Sequence, residues 1–385
     1  MEKMNNNHLQ QIFSHYIDRF EELNDKEHCE YYKWQIAKRF HKEMDDALSS
    51  SDAELPGKLY ELKKLSANLI DSYTQPFHGL VKFAEEEPQT VREMLKELLQ
   101  EDSDDMASKQ KRVQDFLKKS HALREKYYPD SYLYKDDMHS VTGYLFLYNP
   151  DHNYIFKATH AQIFADCIEF YDEWGSGDDV NLSVYYRMCD QVVEAIKESK
   201  ELMATDASRF EISKLENEDE LYADPMKHIL AFDLIYCCSA YGLFDGITFV
   251  RPKSKERQLM QERKEKAIRL STALEEARAK AKELEEAKEY LNSVLTAGVL
   301  VHHGKYGDGT VKSNGGTSVV IDFPEVGEKQ FGIVIATVNG IIKPDVPGYD
   351  KKLEAYKDVL KKEGTIMSGL SFAEKEFAPY SEYLG

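Results

Sequence analysis

Asp151, with Glu198 and Lys200 standing as a Glu-x-Lys pair, supplies the residue types of metal-dependent nucleic-acid cleavage. That chemistry needs the pair on a strand beside the aspartate, and here it falls near the end of a predicted helix. His160 with Cys167 or Cys189 has the types of a base and a nucleophile, but both cysteines lie on apolar helix faces, as buried structural thiols do. His302 and His303 offer two imidazoles. Adjacent residues on a strand point to opposite faces, so the two rings do not share one metal ion. No Gly-x4-Gly-Lys-Ser/Thr phosphate loop occurs anywhere. The expectation is therefore no catalytic residue, no metal ligand and no cofactor.

Binding chemistry is better represented. The stretch 251–270, RPKSKERQLMQERKEKAIRL, holds eight Lys or Arg against three Glu. Arg251, Lys253, Lys255 and Arg257 at its start are candidates for contacting phosphates; a solvated helix face is the alternative. Trp174 and the Tyr185-Tyr186-Arg187 run can stack on bases, although core packing is the expected use of these rings.

Composition narrows the class. A chain of 385 residues is too long for one ordinary core, and 42% hydrophobic with 11% aromatic residues argues for folded domains. The net charge of −19 opposes non-specific adhesion to nucleic acid or to anionic membrane. Five cysteines without a CxxC spacing suggest reduced, buried thiols. The start MEKMNNNHLQQ lacks a signal-peptide pattern, and the most apolar window, 229–244, is interrupted by Asp233 and too short for a bilayer. A cytoplasmic protein is expected.

These residues must be positioned by mainly helical elements. Helical periodicity predicts helices over 8–48, 58–72, 89–100 and 107–127, the last stopped at Tyr128-Pro129. YLFLY (144–148) and NYIFK (153–157) around Asn149-Pro150-Asp151-His152 predict a β-hairpin. Thr159 with Gln162 reads as a capping box for a helix reaching Tyr171. Further helices are expected at 183–201 and 226–243, joined by an acidic connector over 204–223. From Arg251 to Leu295 proline and glycine are absent. There Ala267, Leu270, Leu274, Ala277, Ala281, Leu284, Leu291 and Leu295 recur in steps of three and four, with Lys288 at the polar heptad position. This seam pairs either with a second copy or with the chain's own helices. Helices at 350–363 and 371–384, separated by Gly364 and Gly369, close the chain.

Residues 298–343 read differently: Val299, Val301, Gly307, Gly309, Val311, the Asn314-Gly315-Gly316 turn, Val319, Ile321 and Phe323 describe short strands with tight turns. Val301-His302, Tyr306-Gly307-Asp308-Gly309-Thr310-Val311 and Val320 to Phe323 with Gly327 and Lys329 resemble the Tudor-like domain at the C-terminus of UvrD/PcrA-type helicases. The resemblance covers about 45 residues and implies a docking module for RNA polymerase or nucleic acid. Lys305, Tyr306, Lys312 and Lys329 are its candidate binding residues, expected around one rim. Separately, Tyr148, Pro150, Asp151, Tyr154 and Lys157 resemble a segment ahead of the motor in McrB-type restriction ATPases, from which Asn149 departs.

The sequence thus predicts a mainly α, multi-domain (α+β) protein. Its expected parts are a helical domain (1–128), a small α+β domain (129–250), a coiled-coil helix (251–297), a Tudor-like barrel (298–345) and a helical tail (346–385). The expected role is a non-catalytic adaptor docking onto nucleic acid or a nucleic-acid-processing machine, with a protein partner, DNA or RNA, and self-association through Leu270–Leu295. A nuclease or other enzyme of bacterial defence, and a self-associating scaffold, are the alternatives.

Overall fold

Apolar side chains recur every three to four residues through most of the first 250 positions, and helices follow from that period. The computed structural model describes residues 4–25, 27–71, 73–100, 105–215 and 220–384. They form two compact units, one ending at Gln261 and the other beginning at Glu262.

The first unit contains α1 (Asn6–Asp18), α2 (Phe20–Leu23), α3 (Tyr32–Leu48), α4 (Leu55–Ile70), α5 (Pro76–Glu86), α6 (Pro88–Leu99) and α7 (Met106–Tyr127). It continues with α8 (Met138–Tyr148), α9 (Ala158–Cys167), α10 (Leu182–Glu198), α11 (Lys200–Leu215) and α12 (His228–Ala240). One continuous apolar core runs from Leu9 on α1 to Cys238 on α12, so 1–128 and 129–250 do not have separate cores. Trp174, Tyr185 and Tyr186 belong to it, as core packing requires. All five cysteines are free thiols.

Three local expectations fail here for identifiable reasons. The predicted hairpin is instead α8 followed by extended chain, and no strand is present in this unit among the described residues. Asp137 and Ser140 form a reciprocal capping box that starts the helix. Residues 140–147 of α8 are buried on every side, and an all-round apolar helix carries no period to separate it from a strand. Asn153 Nδ2 donates to the Leu145 and Asn149 carbonyls at 3.2 and 2.9 Å, closing the helix end. Side chains also satisfy the extended backbone that follows: Phe156 N donates to Thr142 Oγ1 at 2.9 Å, and Tyr185 Oη donates to the Ile155 carbonyl at 2.8 Å.

The second failure is the Thr159–Gln162 capping box. The N-cap is Lys157, two residues earlier, with no side-chain cap bond, and the helix ends at Cys167; Gln162 turns to Asp166 at 3.3 Å. The third is the acidic connector, whose first part is helix α11, fixed by a buried arginine described below; residues 216–219 lie outside the described residues.

The division between units falls inside α13 (Ser254–Val294). In the second unit, β1 (Leu300–His303), β2 (Gly307–Asn314), β3 (Ser318–Phe323) and β4 (Gly327–Gly332) are followed by α14 (Ile333–Val338), β5 (Ile342–Pro344), α15 (Tyr349–Lys361) and α16 (Glu363–Phe377). The strands form one antiparallel sheet in the order β4-β3-β2-β1-β5, with a bulge between Val311 and Ser313. No pairing joins β4 to β5 among the described residues, so the sheet is open where a closed barrel was expected. Val301, Val311, Val319, Ile321 and Phe323 fill its inner face with Leu284, Leu291 and Leu295 of α13. A Cβ on Gly309 would lie 2.6 Å from the Phe323 ring, and Gly307 holds φ at +73°; both positions therefore require glycine.

The leucine–alanine seam of α13 is also occupied by its own chain. Lys288 Nζ meets Glu363 at 2.6 Å and Lys266 Nζ meets Tyr380 Oη at 2.8 Å, so α16 and the turn after it run antiparallel to α13. Ile366, Leu370, Ala373, Phe377 and Tyr380 are half-buried, again in steps of four and three. Gly364 and Gly369 lie within α16 and do not break it. The same chain therefore covers part of the Leu270–Leu295 seam through which self-association was expected.

Candidate functional sites

In the N-terminal unit four helices bring isolated polar residues of their apolar faces to one place. Lys33 of α3 is fully buried, and its ammonium donates to both Glu30 and Asp233. The Lys33 Nζ also lies 4.4 Å above the Tyr236 ring. Tyr16 of α1 donates to Asp233 at 2.5 Å and accepts from Arg209 Nη2 of α11 at 2.7 Å. The Arg209 guanidinium stacks 3.7 Å over Trp34 and meets Asn24 at 2.5 Å and Asp206 at 3.3 Å. Lys227 completes the chain of contacts on Asp206 at 2.8 Å, and Tyr241 donates its hydroxyl to Glu30. Burial disfavours the Lys33 ammonium, but Asp233 and the groups around it hold its pKa well above the ordinary lysine value.

Glu30, Asp233 and Cys237 place ligand atoms within 4.8 Å of one another. The residues do not make a metal centre. Lys33 already supplies the cation between the two carboxylates, and burial, then Asp233, pushes the Cys237 thiol far up and keeps it protonated.

At the border of this cluster His160 Nδ1 lies 2.6 Å from Ser239 Oγ, not against Cys167 or Cys189. Burial, followed by Lys157 and Lys33, lowers the His160 pKa to about 4. Cys189 is buried with its thiol pushed up by desolvation. Neither Asp151, in the turn after α8, nor Glu198 and Lys200, exposed at the ends of α10 and α11, lies on a strand, so the cleavage set is not assembled.

A second buried imidazole gives a pH dependence. His228 stacks on Tyr154 with centroids 4.1 Å apart, and burial lowers its pKa to about 4 from the usual 6.5. Because the folded value lies below the unfolded one, this stabilisation is complete above the unfolded pKa and is lost as pH falls towards the folded one. Urea titrations followed by tryptophan fluorescence should show up to about 3 kcal/mol of His228-dependent loss across that window. His228→Gln should remove that part of the slope.

The candidates nominated from sequence are distributed unevenly. Arg257 is buried, its guanidinium on Asp166 and, at 3.2 Å, on Glu173; it is a structural ion pair and not a phosphate contact. Arg251, Lys253 and Lys255 are exposed. In the second unit Lys305 is exposed, its ammonium 5.4 Å from the Tyr306 ring centroid, and Tyr306 packs on His303 and Phe323. Lys312 is paired with Glu328. Glu328 faces Asp322 on the outer side of the sheet, whereas Lys329 is registered with inward-facing Ile321. Lys312 and Lys329 therefore do not share one rim. His302 and His303 do point to opposite sides: His302 meets Asp308 at 2.7 Å in solvent, while buried His303 accepts from the backbone N–H groups of Lys305 and Tyr306.

The larger feature of the second unit was not foreseen. No residue of α16 is fully buried, and Phe372 and Met367 are 66% and 48% exposed. Beside them runs a 610 Å³ groove between α13, α15 and α16, lined by Ala273, Ala277, Val359, Ile366, Gly369 and Phe372 among others. Charge is also divided: residues 262–385 carry 18 Lys or Arg against 20 Asp or Glu, a net of −2, so nearly all of the −19 resides in residues 1–261. No helix is long and apolar enough to cross a membrane among the described residues. Comparison with protein-family models, with curated proteins and with solved structures found no match.

Proposed function

We propose that this chain is a non-catalytic adaptor that docks through its C-terminal unit onto a protein component of a nucleic-acid-processing machine. The observation that carries this reading is the bare outer face of α16, with Phe372 projecting at the lip of a groove whose apolar lining is edged by Glu276, Lys280, Glu283, Asp358 and Lys362. A helix of 15 residues that buries none of them is weakly held by its own chain, and a large exposed aromatic beside a pocket is the usual anchor of a protein interface. The near-neutral charge of this unit lowers the repulsion that the acidic first unit imposes on partners. The resemblance to the Tudor-like domain supports the class of machine. Ion pairing of Lys312 and Arg257 argues against a phosphate-tracking surface as the main contact.

Capture from native-cell lysate on the immobilised chain tests this, with and without nuclease. Phe372→Glu should lose the partner protein, whereas reversing Lys305, Lys312 and Lys329 should retain it, and nuclease should not release it. Release by nuclease together with loss in the triple-reversal variant would replace protein docking with nucleic-acid binding.

A further inference from the structure

Exposed aromatic rings concentrate at one place on the N-terminal unit. Tyr73 and Tyr132 are 81% and 61% exposed, yet their rings stack with centroids 5.4 Å apart and an interplanar angle of 16°. Behind them the rings continue as a strip. Tyr134 meets His78 at 5.7 Å and Tyr128 at 5.0 Å, and His78 meets the half-exposed Tyr60 at 6.4 Å. The two loops that carry the stack are held in costly conformations. Gln75 and Tyr134 have φ of +49° and +66°, a region that residues other than glycine avoid. Tyr134 N donates to the Thr74 carbonyl at 2.6 Å, and Thr74 Oγ1 donates to the Lys135 carbonyl at 3.3 Å. The Arg124 guanidinium donates to the Leu133 and Ser131 carbonyls. A Cβ on Gly79 would lie 2.8 Å from the Tyr134 Cβ, so the loop sits directly on α5. None of these contacts buries Tyr73 or Tyr132: a fixed, strained backbone presents both rings to solvent.

Charge selects the occupant. The lysines beside the strip are already paired: Lys63 with Asp71 at 3.1 Å, Lys64 with Glu61 at 2.6 Å, Lys82 with Glu85 at 2.8 Å and Lys126 with Glu87 at 2.6 Å. A phosphate backbone therefore meets Lys135 but no row of cations to track. Glu86, whose charge acts on Tyr128, and Asp130 are exposed without an ion pair among the described residues. They stand in the unit that carries nearly all of the net −19. This surface suits a cationic chain. Its tyrosines suit one backbone conformation in particular. A polyproline II helix is preformed, lays its rings on aromatic faces, and leaves its carbonyls open to tyrosine hydroxyls. We infer that the Tyr73–Tyr132 stack and the strip behind it form a docking surface for a basic, proline-rich segment of a partner protein. The surface belongs to the N-terminal unit and does not depend on docking through α16.

Fluorescence anisotropy of a labelled decaproline with arginines at both ends, titrated with the full chain, tests the inference. The same peptide with glycine for every proline, and a labelled oligothymidylate, are the further arms. The proline peptide should bind at least about tenfold more tightly than the glycine peptide, and oligothymidylate should not bind. Tyr73→Ala and Tyr132→Ala should each weaken the proline peptide at least about tenfold, the weight of an aromatic anchor. Both variants should keep the parent's melting temperature, since these rings lie mostly in solvent. Glu86→Lys combined with Asp130→Lys should weaken the peptide by a smaller factor and flatten the salt dependence of its binding. The inference is overturned if the proline peptide does not bind, if the glycine peptide binds as tightly, or if both alanine variants bind as the parent does. Binding of oligothymidylate that the alanine variants abolish would overturn it in favour of single-stranded nucleic acid.

Discussion

Lys33→Ala is expected to cost the N-terminal unit about 3–5 kcal/mol, a large part of the stability of an ordinary domain. The deletion leaves the Glu30 and Asp233 carboxylates facing each other in an interior that excludes water. It also strips the cation from the faces of Phe232 and Tyr236. Trp34 and Trp174 are the only tryptophans and both lie in this unit, so urea unfolding followed by their fluorescence reads it alone. Replacing the whole set, as Lys33→Met with Glu30→Gln and Asp233→Asn, should recover much of the loss, because a neutral cluster leaves no buried charge unpaired. A single Lys33→Ala variant within about 1 kcal/mol of the parent would mean that water reaches these carboxylates and that the cluster is not a buried network.

Leu284→Lys is expected to unfold the C-terminal unit while leaving the fluorescence transition of the N-terminal unit in place. Leu284 is 1% exposed and packs with Leu291, Leu295 and the inner face of the sheet. A lysine there loses the leucine contacts and buries an ammonium without a partner, at least about 4 kcal/mol together. Circular dichroism should lose an early transition, and light scattering should give the parent's mass under native conditions. A halved mass with unchanged unfolding would restore the intermolecular coiled coil that the heptad spacing permits.

The heptad spacing shows how far the sequence is legible. Alternating steps of three and four identify the α13 seam without ambiguity, but period alone does not say whether its partner is another copy or residues 363–380 of the same chain. Gly364 and Gly369 hid that partner, since glycine in a helix costs only about 1 kcal/mol and packing overrides it. Helices α4, α6 and α7 are legible because polar faces alternate with apolar ones, whereas α5 (Pro76–Glu86) is not among the predicted helices; α8 is not legible, because a fully buried helix has no polar face. The small sheet is legible from its glycine turns, and Gly309 proves to be required by Phe323. Its closure into a barrel is not legible, because strand identity does not fix whether the edge strands meet. The Lys33 cluster was invisible for another reason. Tyr16, Lys33, Arg209 and Asp233 each occur singly in an apolar stripe, up to 217 residues apart, and no local pattern joins them. Arg257 was misjudged in the same way, as a cation counted by charge when its fate is set by Asp166, 91 residues away.

Hydrogen exchange of the full chain, free and bound to its captured partner protein, tests the docking claim most directly. In the free chain the amides of 363–377 should exchange early, because no side chain of α16 is fully buried. On binding, protection should rise most at 363–377 and at 273–283 along the groove, with little change at 305–312 and 327–332. Protection confined to the sheet residues, with α16 unchanged, would contradict docking through this helix.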